Sequence, residues 1–341
     1  MRDKGYDFIR FCSMLLIIIL HFCSEWMKEA TIPHYIAKIV LRDDFCFAFV
    51  GVALFFILSG ALLWKNYKEE INTVQFYRKR ILKIWIPQWI AFVVTFGIMY
   101  IVQPDYIRSG VQAGIPSLIV SFFGLNFDGT LWNPIGIFPL YLVGEWFTCV
   151  IIVIYILFPI FRWLFKNHRI WGTVIVLMIF LINLKYKIFT GDSGRYSFTN
   201  AFMYFWMGMI FEEYKKFFTD KRVVVLLVAI DVIMFVHNPS TIFGSDILVT
   251  ATFSFMLFVI LYQIKVKTRV TSFICKYNYE IYLVHHRIYY IFIPLMIFET
   301  SNWLQISLCF IVLMVVICRC AELLRICSGK LEQLCTSKKH G

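Results

Sequence analysis

The sequence predicts an all-α polytopic integral membrane protein with about ten transmembrane helices and both termini in the cytoplasm. Three features predict it. Of the 341 residues, 60% are apolar, more than a folded interior hides from water, and mean hydropathy is +0.74. The apolar residues come in runs long enough to cross lipid. Cationic residues gather in alternate connections between those runs, the asymmetry that orients membrane helices.

Apolar runs can be drawn at 8–25, 45–64, 84–102, 138–161, 171–189, 198–213, 222–237, 246–264, 278–298 and 303–324. Ten spans leave both ends of the chain on one side. Residues 1–7, 65–83, 162–170, 212–222, 265–277 and 319–341 then form the inner side and hold 24 of the 33 Lys and Arg. The outer side, counting Lys185 and Lys187 at the end of the 171–189 run, holds 7, and Arg10 and Arg287 lie deeper within spans. Such a bias places the termini inside. The first run has no small-residue cleavage site and carries an ionic pair, so it is expected to remain a span rather than act as a removable signal. The longest connection, 103–137, is rich in Gly, Pro and aromatic residues. Its apolar piece Ile115–Leu125 is too short to cross and reads as a re-entrant or interfacial segment. Residues 1–325 are expected to form one membrane domain, with 326–341 a short cytoplasmic tail.

Composition also excludes function classes. A net charge of +12 suggests nucleic acid at first sight, but the charges sit in short loops beside apolar runs. Orientation and contact with anionic headgroups or substrates explain them better, so no nucleic acid is expected. The ten Cys show no metal-type spacing; most fall within spans and read as small apolar residues. The 36 Phe, 18 Tyr and 10 Trp suit lipid-facing and interfacial positions.

Chemistry enters with the first run, which carries Asp7, Arg10 and His21. Ionisable groups inside a span are costly and tend to be functional. Arg10 and His21 are eleven residues apart, which puts them about 20° from one helix face and about 16 Å apart along the axis. One face thus offers a permanent cation near a membrane surface and a titratable base at depth. The opposing reading has Arg10 snorkelling to phosphates and His21 bonding a neighbouring helix. In the second run, Ser59-Gly60 offers a small-residue point where another backbone can approach. After it comes Phe76-Tyr-Arg-Lys-Arg-Ile-Leu-Lys-Ile-Trp-Ile-Pro87. There Arg78, Arg80 and Lys83 either anchor the helix to headgroups or hold a phosphorylated cytoplasmic donor. Glu145 opens the fourth run at a depth matching that of His21, where a carboxylate orients or strengthens a histidine base. The ninth run holds Glu280, His285, His286 and Arg287, too many ions for a helix that faces only lipid. At least one of its faces should line a polar cavity, and periodicity cannot say which histidine faces it, since neighbours point about 100° apart.

Four of these stretches, in this order, resemble the membrane-bound acyltransferase family 3. They are the Arg-x10-His pair of the first run, Phe-Phe-Ile-Leu-Ser-Gly in the second, the basic stretch before the third, and Tyr-x-Ile-Tyr-Leu-Val-His near the C-terminus. The resemblance runs from about Tyr6 to Arg325. It implies an integral membrane O-acyltransferase moving an acetyl group from cytoplasmic acetyl-CoA to a hydroxyl of a cell-surface polysaccharide or its lipid-linked precursor. Acetyl-CoA would be a co-substrate, with no permanently bound cofactor and no metal. By position, Arg10 and His21 match the family's essential pair, and Arg80 the first cation of its Arg-x-x-Arg element. Lys83 stands in the second place, keeping charge but losing bidentate geometry. His285 matches the C-terminal histidine, and His286 lies outside the pattern. Tyr282 and Ser59, from the same motifs, are candidates for lining the substrate or acyl-CoA path, and Glu145 for the catalytic group. A multi-pass protein of the bacterial cytoplasmic membrane, acting on the cell envelope, is the implied setting. The rival reading is a carrier or flippase for a glycan or lipid-linked sugar; the absence of a visible internal repeat weighs against it.

Overall fold

A computed structural model describes residues 3–29, 47–112, 114–125, 135–186, 197–237, 247–297 and 302–337. The ends of the expected runs at 45–46, 187–189, 246 and 298, and the last four residues, lie outside them.

Among the described residues each expected run overlaps a helix, because a backbone in lipid must satisfy its polar groups within its own segment. The helices are α1 (Lys4–Glu29), α2 (Phe47–Tyr67), α3 (Thr73–Val102), α4 (Pro104–Gln112), α5 (Ile115–Phe122), α6 (Glu145–Asn167), α7 (Arg169–Tyr186), α8 (Phe198–Glu213), α9 (Lys215–Phe218), α10 (Lys221–His237), α11 (Ile247–Gln263), α12 (Arg269–Lys276), α13 (Asn278–Met296) and α14 (Trp303–Ser337). Among the described residues there is no strand, and six helices (α1, α2, α3, α6, α7 and α14) are long and apolar enough to cross a membrane. The protein is a polytopic, all-helical membrane protein. α11 is apolar but shorter, and α14 continues unbroken past Arg325.

One run departs from expectation. Residues 138–144 are apolar but not helical, and α6 starts only at Glu145. Their backbone groups are met by side chains instead. Phe138 N–H donates to Ser117 Oγ (3.0 Å) and Leu140 N–H to Ser121 Oγ (2.7 Å), both serines on α5. Arg287 Nε donates to the Leu142 carbonyl (3.2 Å) and Tyr282 Oη to that of Gly144 (2.8 Å). Non-helical backbone in apolar surroundings is tolerated where protein groups satisfy it. The apolar piece after Gly114 is likewise the two-turn helix α5, too short to span.

The chain divides into two compact units that share α1 and α6. The first comprises 1–20, 35–72 and 154–276, and the second 21–34, 73–153 and 277–341.

In the first unit α2 and α8 cross at paired glycines. A Cβ on Gly60 would lie 1.9 Å from the Phe205 carbonyl oxygen, and one on Gly208 would lie 1.9 Å from that of Ile57. Here Ser59-Gly60 is the close-approach point that its small residues suggest. Arg162 closes the C-terminal end of α2, donating to the carbonyls of Tyr67, Lys68 and Glu69. A polar layer joins the helix ends: Lys65 (3.3 Å) and Lys265 (3.8 Å) pair with Asp3. Tyr262 Oη also donates to Asp3 (3.1 Å), and Tyr6 donates to Glu212. Burial pushes the Asp3 carboxyl up, but Tyr262, the Gly5 N–H and Lys65 outweigh it and hold Asp3 below the ordinary carboxylate value. A carboxyl depressed in the folded state stabilises it above the unfolded value and loses that stabilisation as pH falls through the folded one. Asp3→Asn is therefore expected to lower stability at pH 7 by about 1–2 kcal/mol. Its deficit against the parent should shrink in thermal melts as pH is lowered below the ordinary carboxylate value; a deficit that does not change with pH would refute the assignment.

In the second unit α3 carries Pro87, which has no N–H to donate and so frees the Lys83 carbonyl from the helix ladder. Tyr279 Oη of α13 donates to the next carbonyl, that of Ile84 (3.2 Å). Leu142 and Val143 pack with Ala91, Phe92, Leu283 and Leu324 in one buried cluster, which fixes α3, the 138–144 segment, α13 and α14 together.

Candidate active site

Within the second unit, α13 presents His285 and His286 side by side, and the ring of His21 from α1 meets both. The centroid of His21 is 5.0 Å from each of the other two, tilted against His285 and edge-on to His286. Tyr289 stands edge-on to His285 (6.1 Å), and Phe22, next to His21 in the chain, packs its ring on Trp26, Tyr289 and Phe310.

Hydrogen bonding assigns the protons. His285 Nδ1 faces only acceptors, the carbonyls of Ile281 (3.2 Å) and Tyr282 (2.8 Å), so it carries the hydrogen. The lone pair of His285 is then on Nε2, a buried atom with no hydrogen-bond partner among the described residues; His21 Nδ1 is in the same position. His286 Nε2 donates to Glu25 Oε1 (3.0 Å), whose side chain is only 6% exposed, and Lys28 Nζ holds the same oxygen at 2.6 Å. The site therefore combines three imidazoles, one tied to a carboxylate and two with an uncommitted buried nitrogen. Buried polar atoms normally find partners, so two such atoms within one cluster of imidazoles mark a place for chemistry. Among the described residues no group of three or more His, Cys, Asp or Glu is arranged to hold a metal ion.

Of the residues singled out in the sequence, His21 and His285 are brought together, and Tyr282 joins them with its ring 5.9 Å from His285. Its hydroxyl is committed to Gly144. Glu145 is the first residue of α6, but its side chain lies outside the described residues. Among the described residues, Glu25, one helical turn beyond His21, is a carboxylate on His286, a neighbour legible only as an i, i+4 pair on α1. His286, outside the family pattern, is the group Glu25 holds. The other ions of α13 are met rather than left facing one cavity. Glu280 takes Arg325 (3.2 Å). Arg287 lies over the Tyr106 and Tyr290 rings and donates to Tyr106 Oη (3.2 Å).

Arg78, Arg80 and Lys83 lie in the first turns of α3. Arg78 and Lys83 are exposed, and Arg80 is half-buried with its guanidinium over Phe76. Arg10 and Ser59 belong to the first unit, where Arg10 pairs with Asp7 (2.8 Å).

A family model described as an acyltransferase domain matches residues 3–321. Searches of curated proteins and of solved structures found no match. With nearly the whole chain inside that match and a helical membrane fold around it, the protein belongs to acyltransferase family 3 and is a multi-pass membrane acyltransferase.

Proposed function

We propose that this acyltransferase moves an acetyl group from cytoplasmic acetyl-CoA to a hydroxyl of a cell-surface polysaccharide or its lipid-linked precursor. Its place is the bacterial cytoplasmic membrane. The observation that carries this reading is the histidine trio: His21 and His285 each keep a buried, uncommitted nitrogen in a chain of acyltransferase type.

A neutral imidazole lone pair takes the proton of an acceptor hydroxyl as its oxygen attacks the thioester carbonyl carbon. The C–S bond breaks, and the departing thiolate takes the proton back to leave as free CoA. His21 is assigned that proton transfer and His285 the second lone pair beside it. Glu25 fixes the tautomer and ring plane of His286, which in turn packs edge-on to His21. No serine or cysteine nucleophile is needed, so direct transfer is the simplest route.

The donor's phosphates call for cations on the inner side. Arg78, Arg80 and Lys83 supply them at the start of α3, with Arg80 steadied on Phe76. Arg10 is assigned to the charged part of the donor, exchanging its pairing with Asp7 for a phosphate. Arg80→Glu is expected to weaken acetyl-CoA binding at least tenfold, about 1.4 kcal/mol. The difference from the parent should shrink as salt is raised. Parental affinity in the variant, insensitive to salt, would leave this stretch as a headgroup anchor only.

A further inference from the structure

Arg325 is a cation that the phosphate contacts described above do not use, and it is anchored at one nitrogen only. Its Nη1 donates to Glu280 Oε1 (3.2 Å), and Glu332 Oε1 lies 4.0 Å from the same atom. Nε and Nη2 make no hydrogen bond among the described residues. The Glu280 side chain is 3% exposed and that of Arg325 is 39% exposed. A buried carboxylate thus fixes one corner of the guanidinium and leaves the rest of its planar fork open. Neutralising Glu280 needs only a point charge, which lysine would supply; the open fork is what arginine adds.

The place of Arg325 is set by three rungs between antiparallel α13 and α14. Gln305 Nε2 donates to the Met296 carbonyl (3.2 Å), Tyr289 Oη to Met314 Sδ (3.7 Å) and Arg325 to Glu280. Arg325 is therefore level with the first turn of α13, which holds Glu280. The same turn carries Tyr279, whose hydroxyl reaches the Ile84 carbonyl of α3. Ile84 follows Lys83 directly and stands one turn above Arg80, about 40° round the helix. The cations at the start of α3 and the fork on α14 thus gather at one end of the second unit, at the level where α3, α13 and α14 are tied together.

We propose that Arg325, positioned by Glu280, binds a phosphate group of the acyl donor's nucleotide. This rests on the CoA reading above and deepens it. CoA carries a diphosphate and a separate 3′-phosphate, so the cations of α3 and the fork of α14 need not share one group. A point charge attracts a phosphate; a guanidinium also orients it through two parallel N–H···O bonds. Lys83 gives α3 the first without the second, and Arg325 returns the second to the site.

The test uses the purified full chain with acetyl-CoA, adenosine 3′,5′-bisphosphate (the nucleotide end), acetyl-pantetheine (the arm alone) and phosphatidylglycerol (an anionic headgroup) as probes. Arg325→Lys keeps a charge beside Glu280 and is expected to weaken acetyl-CoA and the bisphosphate about tenfold, with acetyl-pantetheine unchanged. In a Lys83→Arg background the same substitution should cost only about threefold, because α3 then carries a fork of its own. Glu280→Gln, which lets the guanidinium swing, should raise the KM for acetyl-CoA and leave kcat as it is. Parental affinity for the bisphosphate in both Arg325→Lys and Arg325→Gln would overturn the proposal. Equal losses for every probe, acetyl-pantetheine included, would overturn it too, by giving the pair a structural role. Loss of phosphatidylglycerol binding alone would make Arg325 a headgroup anchor instead. A parent protein that binds neither acetyl-CoA nor the bisphosphate, yet transfers acyl groups from another donor, would sink the CoA reading itself; a parent that binds both no better than Arg325→Lys does sinks only this assignment.

Discussion

Replacing His21 with alanine is expected to lower acyl transfer by about 10²–10⁴-fold, the range for losing a positioned general base. The membrane protein itself should remain: His21 makes ring contacts at 5.0 Å to two other imidazoles, and its Nδ1 holds no hydrogen bond that the fold depends on. The measurement is O-acetyl content of surface glycan by mass spectrometry, beside the amount and monodispersity of the detergent-extracted variant. Acetyl-CoA should still bind the variant, because the cations assigned to its phosphates lie on α3. Glycan acetylated to the parental level would remove His21 from the mechanism. His286→Ala should be milder. It takes away a ring packed against His21 and the partner of Glu25, but neither of the two uncommitted nitrogens. An acid-quenched single turnover should show no acetyl on the protein; acetyl found on His21 would replace direct transfer by an acyl-enzyme route.

How far the sequence alone reached follows from what periodicity encodes. α8 runs over 198–213 as the apolar run does, because hydrophobic length and helix length coincide when lipid is the solvent. The run at 138–144 misled for the same reason. Hydropathy reports that a segment is buried in apolar surroundings, not how its backbone is satisfied, and here Ser117, Ser121, Arg287 and Tyr282 do what a helix would have done. The site divides likewise. His21 and His285 stand out as ions at depth, but their being neighbours is a tertiary fact. Depth-matching put Glu145 by the base, and its side chain lies outside the described residues. Glu25 lies at the end of a run, where a carboxylate passes for an interfacial residue, yet one turn of α1 brings it to His286.

The largest effect on stability is expected at the α2–α8 crossing. Gly60→Val should prevent recovery of a monodisperse protein, and Gly60→Ala or Gly208→Ala should lower stability by about 3 kcal/mol or more. The reason is which atom is in the way. The Cβ of either alanine would lie 1.9 Å from a carbonyl oxygen, of Phe205 or of Ile57. A side chain in that place turns to another rotamer; a backbone carbonyl moves only with its helix. Membrane helices gain little from hydrophobic burial against one another and depend on close backbone approach, so parting α2 from α8 forfeits the contact that joins them. Gly97, on exposed α3 surface with nothing within 4 Å of its Cβ position, supplies the control. Gly97→Ala should leave stability unchanged or raise it by up to about 1 kcal/mol, since alanine is the better helix former. Thermal unfolding of the three alanine variants in one detergent separates the two cases. Equal melting temperatures across the set would mean that the paired glycines do not hold the helices together.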